Sequence, residues 1–305
     1  MTELSPALPQ DLEGEIFLLA AYSNPPSVPT LMLVAQRVKA WVEVFRYRVM
    51  ILYKKNAHHG VPWDKDYPFP DDEEFSHLRS IPPVTLRNSV RHLFIQLLSK
   101  EMTKYFLSTC GDLQDLFLYP DGYSSLLDTL GELHLRRFHC DMQLLFSGSD
   151  EDLFGPTNID FTHSLFSNIT HLEFFDQVVS TPPLSYWAGL ASIPHLTHLS
   201  FYEHEFLPLV PQALRDCPNL RVVLFQCTLN ELDGEVGLVI PTRDLRFVQM
   251  ASPDAIEGYT NDWLEGALTG RDFWSRADEH VRKRISGEVT SYVMDGSMEL
   301  PTVDS

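Results

Sequence analysis

The chain has 305 residues, 44% apolar and 21% charged, with a formal charge of −19. That length suits one elongated domain, or a repeat array with a small module attached, and 19 Phe, 11 Tyr and 5 Trp exclude a disordered chain. The acidic balance argues against nucleic acid as the main partner, because phosphate binding draws on clustered Lys and Arg. Only Arg282-Lys283-Arg284 is densely basic, and spread around a helix it reads as solvated surface.

In chain order, Leu8 to Ala20 predicts a first helix, with Leu12, Ile16, Leu19 and Ala20 on one face and acidic residues in the first turn. The loop Ser23 to Pro29 breaks it. Thr30 to Val42 predicts a second helix, with Leu31, Val34, Val38 and Trp41 at helical spacing. Arg48 to Tyr53 alternates as a strand would. Residues 53–83 form a Pro-rich and acidic linker whose Trp63, Tyr67 and Phe69 are expected to pack on a neighbour, and whose end, Asp72 to Arg79, predicts a short helix.

From residue 84 an L-x-x-L-x-L spacing recurs. It is read at Val90/Leu93/Ile95, Leu113/Leu116/Leu118, Leu130/Leu133/Leu135, Ile169/Leu172/Phe174, Leu196/Leu199/Phe201, Leu220/Val223/Phe225 and Leu245/Val248/Met250. First residues lie 23, 17, 39, 27, 24 and 25 positions apart, mostly the period of a leucine-rich repeat. The long interval holds the acidic run Ser147 to Asp152, read as a loop insertion. Helical returns are expected at Leu97 to Ser108, Tyr186 to Ala191 and Val210 to Cys217. The expected fold is an α/β irregular leucine-rich-repeat solenoid over 84–250, with a helical cap at 251–287 and a disordered tail at 288–305. Trp263, Phe273, Trp274, Ala277, Val281 and Ile285 make the cap, its helix running from Arg271 to Ser286 and ending at Gly287.

Strand alternation then predicts three columns on a concave face. They are His92, Asp115, Glu132, His171, His198, Val222 and Phe247; then Phe94, Phe117, His134, Glu173, Ser200, Leu224 and Gln249; then Gln96, Tyr119, Arg136, Phe175, Tyr202, Gln226 and Ala251. Phe94, Phe117, Tyr119, His134, Arg136, His171, Glu173, Phe175, His198, Tyr202 and Phe247 are the candidate partner-binding residues there, since exposed aromatics anchor protein interfaces. The competing expectation is that a loop or the C-terminal tail covers them. A third and least supported reading gives the face a ligand-binding or enzymatic role through His134, His171, Glu173, His198 and Ser200.

No nucleophile elbow, phosphate loop, dinucleotide fingerprint or paired Cys-x-x-Cys is present. His195 and His198 lie three apart, so on a strand they point to opposite faces and cannot share a metal. No catalytic residue, metal or cofactor is expected, and no intrinsic enzymatic activity. With no leader sequence and no apolar membrane span, Cys110, Cys140, Cys217 and Cys227 are expected as free thiols in a reducing compartment, cytoplasmic or nuclear.

Leu8-Pro9 at a helix start, Glu15-Ile16-Phe17, and Leu33-Val34-Ala35 running into Lys39-Ala40-Trp41 resemble the F-box motif. The form is close to the divergent F-box-like N-termini of fungal leucine-rich-repeat proteins, and the resemblance covers residues 8–52. It implies an F-box-type substrate adaptor of an SCF-like ubiquitin ligase. Leu8, Pro9, Ile16, Val34, Val38 and Trp41 would hold a Skp-family adaptor, and the concave columns an unknown protein substrate. The alternative is a stand-alone scaffold with no ubiquitin link, its N-terminal helices shielding the first repeat. Exposure of Ile16, Val34 and Trp41 favours the adaptor, and their burial against Val90 to Ile95 favours the shield.

Overall fold

The computed structural model describes residues 8–53, 78, 80–120, 122–123, 125–147, 159–176, 182–227, 242–251 and 256–294. Trp63, Tyr67 and Phe69, nearly all of the helix expected at 72–79, the acidic run after Ser147, and the tail from residue 295 lie outside the described residues.

The chain opens with a small helical module. Helix α1 (Gln10–Ser23) is followed by a 3-10 turn at Pro25–Ser27, α2 (Val28–Leu31), α3 (Gln36–Val42) and a second 3-10 turn at Glu43–Tyr47. The expected second helix is therefore two short ones, with Leu33 and Val34 in the turn between them. The module has its own apolar centre of Ala21, Val28, Val38 and Val42, with Phe17, Leu31, Trp41 and Phe45 packed around it. Gly14 faces the Trp41 ring, and a Cβ there would make an ordinary contact 3.6 Å from the indole.

Strand β1 (Val49–Tyr53) leaves this module and begins the sheet. The remaining strands are β2 (His92–Gln96), β3 (Asp115–Tyr119), β4 (Arg137–Cys140), β5 (His171–Phe174), β6 (His198–Phe201), β7 (Val222–Cys227), β8 (Phe247–Ala251) and β9 (Val293–Met294). All nine are hydrogen-bonded in chain order, and every pairing is parallel. Because the order never reverses, the sheet has no switch-point crevice of the kind that binds ligands in doubly wound sheets.

Short returns cover one face: α4 (Pro83–Ser89), α5 (Lys100–Thr109), α6 (Leu127–Gly131), α7 (Met142–Ser147), four 3-10 turns and α8 (Val210–Asp216). Between them and the strands lies the main core, where Leu93, Ile95, Leu116, Leu118, Phe138, Leu172, Phe174, Leu199, Phe201, Val223 and Phe225 are buried. Cys110, Cys140, Cys217 and Cys227 are free and buried. Leu199 is fully buried, and Leu199→Ala is expected to cost about 2–5 kcal/mol through lost transfer energy and a residual cavity, read as a lower urea midpoint.

The other face is also covered. Helices α9 (Ile256–Thr269) and α10 (Phe273–Ser286) pack Tyr259, Trp263, Ala267, Phe273, Trp274, Ala277 and Val281 onto Ile51, Phe94, Phe117, Val222, Leu224, Val248 and Met250. Those sheet residues span β1 to β8, so the helices lie across the sheet rather than at its end. This overturns the leucine-rich-repeat solenoid with an open concave face and an end cap. The protein is an all-parallel nine-stranded α/β sheet with helices on both faces, the arrangement that parallel sheets with apolar residues on both sides require. Where the sequence predicts a single cap helix from Arg271, the structure has two, Ile256–Thr269 preceding Phe273–Ser286. Gly287, with φ of 78°, ends α10 in the left-handed conformation, which glycine adopts without a Cβ penalty.

Two units of the expected repeat are also corrected. The fourth strand is Arg137–Cys140, with Leu116 paired to Phe138, so its unit is Leu135/Phe138/Cys140. Leu130 and Leu133 are buried in and just after α6 instead, and the intervals around this unit become 22 and 34 residues. In the last unit Val223 pairs with Phe247 and Leu224 with Val248. That is a one-residue slip, which sends every side chain to the opposite face. Phe247 enters the main core, while Val248 and Met250 meet the C-terminal helices.

Candidate functional site

The columns expected to form a partner face are instead an internal layer. Phe94 and Phe117 stack with centroids 3.9 Å apart, Trp263 meets Phe94 edge-on at 5.4 Å, and Tyr259 lies 5.4 Å from Phe117. Phe94 and Phe117 are buried, as are Glu173, His198 and Phe247. Tyr119, Phe175 and Tyr202 are half-buried against the same layer. His171 is half-buried too, its ring stacked on His198 at 4.0 Å beneath the edge of Trp274. His134, Arg136 and Glu132 are exposed, but they precede β4 and are not on this face; the face residues of β4 are Arg137 and His139, paired with His171 and Glu173. The eleven residues therefore do not make an open docking surface. The large aromatic columns of the sheet and the aromatic C-terminal helices bury each other.

At the centre of the layer is a buried polar network, which the observed register of β4 creates by turning His139 onto this face. His139 Nε2 lies 3.3 Å from Asp115 Oδ1, and its Nδ1 is hydrogen-bonded to Glu173 Oε2. The Tyr259 hydroxyl donates to Glu173 Oε2 at 2.6 Å. Gln226 Nε2 donates to Glu173 Oε1 and to Ser200 Oγ at 2.9 Å, and Tyr202 donates to Gln226 Oε1 at 3.0 Å. Trp263 Nε1 donates to Asp115 Oδ1 at 3.3 Å.

Burial opposes a charged His139, but Asp115 and Glu173 outweigh it and raise the imidazole to about 9. Burial likewise opposes ionised Asp115, and hydrogen bonds and charge from His139 and His92 still hold it well below the usual carboxylate range. Burial, with Glu173 beside it, keeps the Tyr259 phenol well above its ordinary value and so a donor. The network is a buried imidazolium between two carboxylates, tied to α9 by Tyr259 and Trp263.

Around it, Arg137 forms an ion pair with Asp272, whose side chain also caps α10 by accepting from Ser275 N at 2.9 Å. Asp262 of α9 accepts from Phe273 N at 2.7 Å and pairs with Arg276 at 2.5 Å. His198 Nε2 lies 3.2 Å from Asp278. Each of these contacts fastens the helix pair to itself or to the sheet. His134, His171, Glu173, His198 and Ser200 do not converge on an open site, since Ser200, Glu173 and His198 are buried and His134 stands apart. No group of three or more His, Cys, Asp or Glu among the described residues could hold a metal ion.

The exposed apolar surface lies elsewhere. Of twelve large apolar residues standing exposed among the described residues, nine fall between Leu8 and Val44, which makes the N-terminal module the candidate site. Helix α1 has two opposite apolar faces. Gly14 and Ala21 are buried and Phe17 packs toward Trp41, while Leu12, Ile16 and Leu19 are 48%, 54% and 66% exposed. Leu8 and Pro9 are exposed at its start, and Leu33 and Val34 are 86% and 58% exposed in the turn before α3. A bidentate pair from Arg37 to Glu13, at 2.7 and 3.0 Å, ties α3 to α1.

Among the residues assigned by resemblance, Leu8, Pro9, Ile16 and Val34 are thus presented outward. Val38 is fully buried in the module's centre, and Trp41 is half-buried against Gly14 and Phe17. These two therefore support the exposed apolar face from within and are not part of its surface. The face formed by Leu12, Ile16 and Leu19 points outward, and the small residues Gly14 and Ala21 take the inward side of α1.

No helix among the described residues is long and apolar enough to cross a membrane. No model of a known protein family matches the sequence, and no curated protein matches it.

Proposed function

We propose that this protein is a binding adaptor whose N-terminal helices dock a second protein. We propose further that the docked protein is a Skp-type adaptor, making the chain a substrate-recruiting subunit of an SCF-like ubiquitin ligase. The carrying observation is the second apolar face of α1. A helix that is apolar on both sides is buried on both sides in its working state, and the module covers only one of them. Leu8, Leu12, Ile16, Leu19, Leu33 and Val34 supply the contact, and Glu13 with Arg37 holds α1 and α3 in register beneath it. The F-box resemblance names the partner class.

A stand-alone scaffold is the second reading. It is favoured by the placement of Val38 and Trp41 inside the module, since the resemblance assigned both to the adaptor. The two readings share the docking face and differ in what occupies it.

Titration of the purified chain with a purified Skp-type adaptor separates them. Binding is expected, and Ile16→Asp with Leu19→Asp is expected to weaken it by about 30-fold or more, the loss of an anchor worth about 2 kcal/mol. Thermal stability should change little, because both side chains are already in water. No binding by the parent chain would end the ubiquitin-ligase assignment and leave the scaffold.

A further inference from the structure

Asp141 and Asp176 follow β4 and β5 and converge on the start of α7. Asp141 caps the helix, its Oδ1 accepting from Leu144 N at 2.9 Å. Asp176 reaches the same turn from the neighbouring strand, its Oδ1 accepting from Gln143 N at 2.5 Å and from the Tyr186 hydroxyl at 2.8 Å. Tyr186 belongs to the 3-10 turn Leu184–Trp187, so one carboxyl group joins three segments. Asp141 and Asp176 are both buried, and neither forms an ion pair among the described residues. Asp176 Oδ2 is buried with no hydrogen-bond partner. Two carboxylates so placed cannot both hold a charge without moving toward water.

We propose that Asp141 and Asp176 act as a proton-operated clasp, in which one proton on the pair locks α7 and the 184–187 turn against β4 and β5, and its loss releases them. The orphan Oδ2 of Asp176 is the natural seat of that proton, and Asp141 remains the ionised helix cap until pH falls through about 6. The other titratable groups that face the pair are Cys140, Tyr123 and Tyr186. Burial pushes all three above their ordinary values, so they stay protonated where the pair titrates. Burial raises Asp141 to about 6, and burial together with the neighbouring Asp141 charge raises Asp176 to about 7. Folded values above the unfolded one mean that the clasp's contribution is complete below about pH 4 and is lost as pH rises through about 7.

Hydrogen exchange of the Gln143 and Leu144 amides, corrected for intrinsic rate, tests the clasp from about pH 5 to about pH 8. Protection is expected to fall at least tenfold across that range in the parent chain. Asp176→Asn keeps an acceptor oxygen without the charge, and its protection should stay flat. Carboxyl carbon NMR of the parent chain gives a second reading that needs no variant: one of the two carboxyls must titrate near neutrality. Flat protection in the parent, an equal fall in Asp176→Asn, or both carboxyls titrating in the ordinary acid range would each overturn the proposal.

Discussion

Replacing Glu173 with alanine is expected to destabilise the protein by about 3–5 kcal/mol, the usual cost of leaving a buried charge without its partner. Glu173 is fully buried and accepts from His139, Gln226 and Tyr259 at once. Its removal leaves the His139 imidazolium with Asp115 alone and strands the donors on β7 and α9 where water does not reach. The effect should concentrate on α9 and α10, which this network fastens to the sheet. The check is urea unfolding of the variant beside Glu173→Gln, which keeps one acceptor oxygen and is expected to lose less. A Glu173→Ala chain within about 1 kcal/mol of the parent would mean that the layer is not closed as described.

Phe117→Ala carries the second large effect, and it distinguishes a core residue from a docking residue. The Phe117 ring stacks on Phe94 and contacts Phe175 and Tyr259, so its loss opens a cavity between the sheet and α9. About 3–5 kcal/mol is expected, visible as a lower unfolding midpoint without any partner present. A surface anchor would behave in the opposite way, leaving stability within about 0.5 kcal/mol and reducing only binding.

The strands were legible because their repeating apolar spacing is real at Leu93, Leu116, Leu172, Leu199 and Val223, which all occupy equivalent rungs. Register was lost where the local text fits two frames. Leu130, Leu133 and Leu135 satisfy the strand spacing, but the first lies in a helix and the motif that pairs begins only at Leu135. At Phe247-Val248-Gln249-Met250 both alternating sets contain an apolar residue large enough for a core, and pairing with Val223 decides between them. The covering of the aromatic columns was the harder failure. Trp263, Phe273 and Trp274 are plainly apolar in the sequence, and a solenoid end would absorb them equally well, since nothing local says that they cross the sheet. In α1, helical spacing shows one apolar face, of Leu12, Ile16, Leu19 and Ala20, without saying whether it points inward. The indole of Trp41 against Gly14 settles it, a long-range contact that residue spacing does not encode.

In the free protein the N-terminal apolar face points outward, while the aromatic sheet face is closed beneath α9 and α10. Covalent footprinting of the free protein by carbene labelling and mass spectrometry tests both halves together. The predicted result is strong labelling of Leu12, Ile16, Leu19 and Leu33, with Phe94, Phe117, Phe247 and Trp263 protected. Labelling of Phe94 and Phe117 with protection of Ile16 and Leu19 would contradict it, placing the open surface on the sheet and the buried one at the N-terminal helix.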